Sequence, residues 1–125
     1  MQILLPFFLV TVSTLAILHN AALTFFLYWR YSWFDIPMHV LGGICVAFGV
    51  AVIPFSLSRL RSFPVTLMSS VLMAGFIGIA WELFEVFAGI SIMDEDFVLD
   101  TTIDLCMDLV GGALGYSIVR SIKSL

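Results

Sequence analysis

Four long apolar stretches follow one another along the chain, and each is interrupted by a few ionisable or glycine positions. Each stretch is close to or above the roughly 20 residues that a helix needs to cross the hydrocarbon layer of a membrane. The pattern predicts an all-α fold, an integral membrane four-helix bundle in a single domain covering residues 1–125. The predicted spans are about 3–29, 36–57, 64–90 and 101–119.

Composition favours a membrane protein over a water-soluble one. Hydrophobic residues make up 62% of the chain and charged residues 11%, and the mean hydropathy is +1.14. Soluble domains are about half apolar and a quarter charged, so this chain has too few polar side chains to cover a soluble core. Its net charge of −4 and its five Lys and Arg residues argue against a nucleic-acid partner, because phosphate binding requires a basic patch. Membrane lipids are the expected partners.

The basic residues set the expected orientation in the membrane. Arg59 and Arg61 lie between spans two and three, and Arg120 and Lys123 follow span four. In a four-span chain these two regions share a side, and only Arg30 lies on the opposite side. Because Lys and Arg are concentrated in cytoplasmic loops, we expect both termini in the cytoplasm.

The ionisable residues of spans two to four recur at intervals of three or four, so each set lies on one helix face. Glycines occupy the same faces farther along each span. The acids precede the glycines in spans two and four and follow them in span three, which runs in the opposite direction. The acids of all three spans therefore reach the outer half of the bundle. The glycines lie in the inner half, where they predict close helix packing. His19 and Asn20 of span one fall at the same outer level. The ionisable set is Asp35, His39, Glu82, Glu85, Asp100, Asp104 and Asp108, and the glycine set is Gly42, Gly49, Gly75, Gly78, Gly89, Gly111 and Gly115.

The ionisable set predicts a functional site, because such residues are costly in a membrane interior. Several carboxylates and one imidazole cannot all be charged in a dry pocket unless a cation offsets their repulsion. Oxygen ligands suit Mg²⁺, Mn²⁺ or Ca²⁺, whereas an imidazole ligand leaves Zn²⁺ or iron open. We therefore predict a divalent-metal site that draws its ligands from this set, with His39 or Glu82 as general base.

Two alternatives to the metal site stay open. A network of shared protons between the carboxyls and His39 needs no metal. Asp35 and Asp100 are equally explained as helix N-caps.

Three segments carry a resemblance to known membrane proteins: FDIPMHVLGG (34–43), WELFEV (81–86) and DTTIDLCMDLVGGALG (100–115). They resemble the YjdF-type bacterial inner-membrane proteins over roughly residues 30–118, and more distantly the VanZ-like membrane proteins. The resemblance implies a polytopic protein of a bacterial or archaeal cytoplasmic membrane. It also implies envelope chemistry, since VanZ-like proteins are linked to glycopeptide resistance. The family's polar positions correspond to Asp35, His39, Glu82, Glu85, Asp100 and Asp104, whereas a less acidic residue is expected at Asp108.

Three functions fit these observations. The first is a metal-dependent enzyme that acts on a lipid head group or a lipid-linked phosphate. The second is an ion- or proton-coupled transporter, for which a homo-oligomer is expected because four helices enclose a narrow pathway. The third is a structural or partner-binding protein whose acids form a satisfied network. The apolar inner halves of the spans count against a pathway through the bundle, and no nucleophile elbow, phosphate loop, HExxH or CxxC motif occurs.

Overall fold

All regular elements of the described chain are helices. The computed structural model describes residues 3–56, 63–89 and 96–123. These ranges contain α1 (Leu4–Thr24), α2 (Leu27–Arg30), α3 (Asp35–Ser56), α4 (Leu67–Ala88) and α5 (Phe97–Lys123). The all-α prediction is confirmed, although the described residues form five helices rather than four.

The additional helix arises because span one does not continue to Trp29 as predicted. α1 ends at Thr24, and Phe26 takes a left-handed backbone conformation (φ 56°) before α2 begins. This turn places the Tyr28 hydroxyl 2.9 Å from Nδ1 of His19. In a continuous helix these two residues, which are nine apart in sequence, would be separated by about 13 Å along the axis. Hydropathy alone does not distinguish the turn from a longer span.

In the described ranges, three helical segments are long and apolar enough to cross a membrane: Leu4–Thr24, Asp35–Ile53 and Leu67–Ala88. The fourth predicted span, α5, has 27 residues. Its acidic residues and basic C-terminal turn make it less apolar than the other three helices. α5 packs against both α3 and α4, as expected for a polar-faced helix of a membrane bundle. The fourth span is thus a helix, and its crossing of the membrane stays a prediction.

α3 and α5 run in the same direction and pack along a seam of small residues. A Cβ atom added to Gly111 would lie 2.9 Å from Cα of Gly43, and one added to Gly115 would lie 2.7 Å from Cβ of Ala47. Real Cβ atoms do not approach so closely, so the two backbones meet only because these positions lack side chains. The prediction placed Gly42 in this seam, but the structure places Gly43 there.

α4 runs antiparallel to α5 and packs against it through further small residues. A Cβ added to Gly112 would lie 2.8 Å from Cβ of Ala74, and one added to Gly78 would overlap the carboxylate of Asp108. Gly78 therefore leaves the volume that the Asp108 side chain occupies. Gly89 is not part of this face, because it caps the C-terminus of α4 with a left-handed backbone (φ 68°).

An apolar cluster lies at the end of the bundle away from the acids. Leu4 of α1, Phe48 and Ala51 of α3, and Val119 of α5 are buried there against one another. The α1 helix packs mainly against α3, so it forms one side of the molecule. The loop residues Arg59, Arg61, Asp94 and Glu95 lie outside the described residues.

Candidate functional site

His39 lies at the centre of a cluster of four carboxylates contributed by three helices. Its Nε2 atom lies 3.6 Å from Oδ1 of Asp35 and 3.9 Å from both Oε1 of Glu82 and Oδ2 of Asp104. Its Nδ1 atom lies 3.2 Å from Oδ2 of Asp108. The structure therefore brings five of the seven predicted site residues together around one imidazole ring.

Helix direction and spacing explain this convergence. Asp35 and His39 are four residues apart on α3, and Asp104 and Asp108 are four residues apart on α5, so each pair shares a helix face. The parallel register that joins Gly43 to Gly111 continues toward the N-termini of both helices and places these pairs side by side. The antiparallel α4 reaches the same level with its C-terminal turns, which carry Glu82.

The cluster is largely buried, and His39 is the one basic side chain paired with it among the described residues. His39 is 6% exposed, Glu82 7%, Asp104 3% and Asp108 5%. Every ion pair of these carboxylates in the described ranges involves His39, and Arg30 is exposed on α2. One imidazolium cannot balance several buried carboxylates, and each uncompensated charge costs several kcal/mol. The cluster therefore favours a cation or shared protons.

Asp108 orients the histidine ring. In the tautomer with the proton on Nδ1, His39 donates this proton to Oδ2 of Asp108, and the lone pair of Nε2 faces the other three carboxylates. A carboxylate on the far nitrogen is the usual partner of a metal-binding histidine, because it fixes the tautomer and the ring orientation. Asp108 thus lies on the opposite side of the ring from the other three carboxylates, and the metal-ligand role predicted for it stays a prediction.

Asp35, His39 and Asp104 meet the distance requirement for a shared ion. One ligand atom from each lies within 4.8 Å of the other two. This spacing is close to the separation of up to about 4.4 Å that two ligand bonds of about 2.2 Å span. Oε1 of Glu82 faces the same space, is buried, and has no hydrogen-bond partner.

The other two predicted site residues lie at the edge of the cluster. Glu85 is half-buried and accepts a hydrogen bond from Nε1 of Trp81 at 3.0 Å. Asp100 is exposed, one turn before Asp104 on α5. Neither belongs to the group whose ligand atoms converge, and metal-ligand roles for both stay predictions.

Thr101 is a cluster residue that the sequence reasoning missed. Its hydroxyl donates a hydrogen bond to Oε2 of Glu82 at 2.9 Å and leaves Oε1 as the unpartnered oxygen. The available signal was its position three residues before Asp104, on the same helix face. Attention to ionisable groups alone passed over this hydroxyl.

An aromatic group lies at the acidic end of the bundle and joins α1 to α4. The His19 ring lies edge-on to the Trp81 ring with centroids 5.3 Å apart, and its Nδ1 pairs with the Tyr28 hydroxyl. Asn20, predicted at the same outer level as His19, is exposed and donates a hydrogen bond to the Ala16 carbonyl of its own helix. The structure thus separates these two neighbours.

A cavity of about 700 Å³ extends from this end of the bundle between α1, α3 and α4. Its polar end includes Asp35, His39 and Asp108, and the aromatic group of His19, Tyr28 and Trp81 also lines it. The rest of the lining consists of apolar side chains and of small residues such as glycine and alanine. The acidic cluster is therefore continuous with a long apolar space.

Comparison with known proteins identifies the family. The family model described as "Predicted membrane protein (DUF2238)" matches residues 1–123. No curated protein and no solved structure matches the chain. The chain belongs to this family of predicted membrane proteins.

Proposed function

We propose that the protein is a metal-dependent membrane enzyme that acts on a lipid head group or a lipid-linked phosphate. The observation that carries the proposal is the buried Oε1 of Glu82, which has no hydrogen-bond partner and lies 3.9 Å from Nε2 of His39, beside the converging ligand atoms of Asp35, His39 and Asp104. A cavity with apolar walls reaches Asp35 and His39 of this group, which suits a lipid substrate. The likeness of three segments to VanZ-like proteins is consistent with envelope chemistry.

Asp35, His39 and Asp104 would hold the cation. Two carboxylates and one imidazole suit Mg²⁺, Mn²⁺ or Zn²⁺, and Ca²⁺ would require further oxygen ligands. Such an ion supplies positive charge that polarises a phosphoryl or carbonyl oxygen. It would also offset the repulsion between the buried carboxylates.

Glu82 is the group that moves the proton. The Thr101 hydroxyl donates a hydrogen bond to Oε2 of Glu82. The other oxygen of Glu82, Oε1, accepts a proton from the attacking water as the water oxygen bonds to phosphorus or carbon. The bond from that atom to the leaving oxygen breaks, an ester in phosphatidic acid and a phosphoanhydride in a polyprenyl diphosphate, and Glu82 returns the proton to the leaving oxygen. His39 is not retained as the base, because one nitrogen serves the cation and the other donates to Asp108.

The competing functions are less well supported. A transporter needs polar groups that continue across the bundle, but the seam beyond the cluster consists of closely packed small residues such as Gly43, Gly111 and Ala47. A purely structural network should satisfy its members, whereas Oε1 of Glu82 has no hydrogen-bond partner.

The activity test uses detergent-purified protein, each divalent metal in turn, and phosphatidic acid or a polyprenyl diphosphate as substrate. We expect release of phosphate, and we expect Glu82→Gln to lower the rate by about 10²–10⁴-fold, the usual contribution of a general base. Asp96→Asn removes an exposed carboxylate near the start of α5 and should keep the wild-type rate. Absence of turnover with every metal, or full activity of Glu82→Gln, would refute this role.

We also propose that both chain termini are cytoplasmic, as the distribution of Lys and Arg predicts. A background lacking Cys45 and Cys106 would carry a single cysteine at Asp96→Cys or Ser124→Cys. Only the first should react with an impermeant maleimide added to intact cells. Labelling of Ser124→Cys from outside would reverse the orientation.

A further inference from the structure

The cavity between α1, α3 and α4 is amphipathic along its length. Its lining on α3 runs from Asp35 to Ile53, a distance of roughly 27 Å by the helical rise per residue. Polar groups are concentrated at the Asp35 end, next to His39, and apolar side chains follow. A polar end that continues into a long apolar channel matches an amphiphile better than a compact polar ligand.

The cavity opens along the gap between α1 and α4. α1 and α4 form the two sides of the cavity, and α3 forms its floor. At the acidic end, the rings of His19 and Trp81 are in contact and join the two sides. Farther along, Val12 of α1 and Ile77 of α4 line the cavity while 36% and 45% exposed. These two side chains therefore mark the rim of an opening toward the outside of the bundle.

We propose that this cavity binds one hydrocarbon tail of a membrane phospholipid, with the head group at the His39 cluster. Around a membrane bundle the molecules outside such an opening are lipids, so a tail enters without crossing water. A volume of about 700 Å³ lies within the range of roughly 300–1,000 Å³ that is typical of ligand pockets. A tail that moves from the bilayer into the cavity gains no hydrophobic free energy, because both surroundings are apolar. Its affinity therefore comes from packing against the preformed walls and from contacts of the head group.

This inference deepens the proposed function by naming a phospholipid as the substrate class. It rests on the proposed function for the role of the head-group site. The tail site itself is argued from the shape and lining of the cavity. Its test therefore uses side chains that lie away from the carboxylates.

Two matched pairs of substitutions separate the cavity from the outer surface. Ile77→Trp and Val12→Trp place a bulky ring at the rim of the cavity. Ile79→Trp and Val10→Trp add the same ring to side chains of the same helices that are 51% and 65% exposed and do not line the cavity. Within each pair the residue type and the helix are identical.

Native mass spectrometry of detergent-purified protein, incubated with palmitoyl-oleoyl phosphatidylglycerol, counts the bound lipid. We expect one tightly held phospholipid per wild-type chain, a fall of at least about tenfold in the bound fraction for both rim variants, and wild-type binding for both outer variants. Glycerophosphoglycerol, which is this lipid without its two acyl tails, should not compete. Equal binding by rim and outer variants, or full competition by glycerophosphoglycerol, would overturn the tail site.

The same samples separate this inference from the proposed enzyme. A protein that binds phospholipid with the expected loss in rim variants, but neither holds metal nor releases phosphate, would retain the tail site and refute the enzyme. Metal-dependent release of phosphate together with unchanged lipid binding in Ile77→Trp and Val12→Trp would refute the tail site alone.

Discussion

Simultaneous replacement of Asp35 and Asp104 by Asn is expected to abolish the stabilisation of the protein by divalent metal. The two carboxylates and His39 offer the converging ligand atoms, and an amide lacks the charge that holds a hard cation. A ligand at 100 times its dissociation constant stabilises the folded state by about 2.7 kcal/mol. We therefore expect added Mg²⁺, Mn²⁺ or Zn²⁺ to raise the melting temperature of the wild type in detergent, and not that of the double variant.

A matched control and a pH series sharpen this prediction. Asp100→Asn changes an exposed carboxylate one turn before Asp104 and should leave the metal response intact. Acidification should weaken the response of the wild type, because protons compete with the cation for the carboxylates and His39. In the absence of metal the double variant should be at least as stable as the wild type, because amides relieve the repulsion between buried carboxylates. A metal response that persists in the double variant would remove these residues from the ligand set.

Gly78→Leu and Gly111→Leu are each expected to destabilise the folded bundle severely. A Cβ at Gly111 would overlap the Val40 carbonyl, and one at Gly78 would overlap the Asp108 carboxylate. Overpacking usually costs about 1–3 kcal/mol, and the cost at Gly111 should exceed this range because backbone atoms of two helices must separate.

Thermal unfolding in detergent, followed by circular dichroism, measures this effect. Ala80→Leu, two residues after Gly78, places the same side chain on an exposed face of α4 and should melt like the wild type. Gly78→Leu and Gly111→Leu proteins that melt together with Ala80→Leu would show that these glycines face lipid rather than neighbouring helices.

Spacing along the chain was sufficient to predict which side chains share a helix face. Steps of four predicted the pairing of Asp35 with His39 and of Asp104 with Asp108, and the alternating direction of the helices predicted that Glu82 reaches the same level. These inferences depend only on helical geometry, which is common to all sequences.

Contacts between helices could not be read from spacing. Gly42 and Gly43 are adjacent, and only the rotation of α3 against α5 selects Gly43 for the close contact. The turn at Phe26 depends on tertiary contacts of α1 with α2, which the hydropathy of the segment does not express.

The separate roles of the acids also required the structure. Asp108 and Asp104 have the same spacing pattern, yet Asp108 lies on the Nδ1 side of His39 and Asp104 on the Nε2 side. The orientation of one imidazole ring thus places similar carboxylates on opposite sides of His39, which spacing along the helix does not predict. Thr101 belongs to the cluster because its hydroxyl donates a hydrogen bond to Glu82.

If the His39 cluster holds a divalent cation, purified protein should retain a fixed number of metal ions per chain. Protein stripped with chelator, reloaded with Mn²⁺ or Zn²⁺ and freed of excess ion would be analysed by inductively coupled plasma mass spectrometry beside the Asp35→Asn, Asp104→Asn double variant. We predict about one ion per wild-type chain, from the single group of converging ligand atoms in the described residues, and none in the double variant. A wild-type protein that retains no ion, and whose melting temperature is unchanged by chelator, would show that the cluster binds no cation. A network of carboxyl groups that share protons would then replace the metal site.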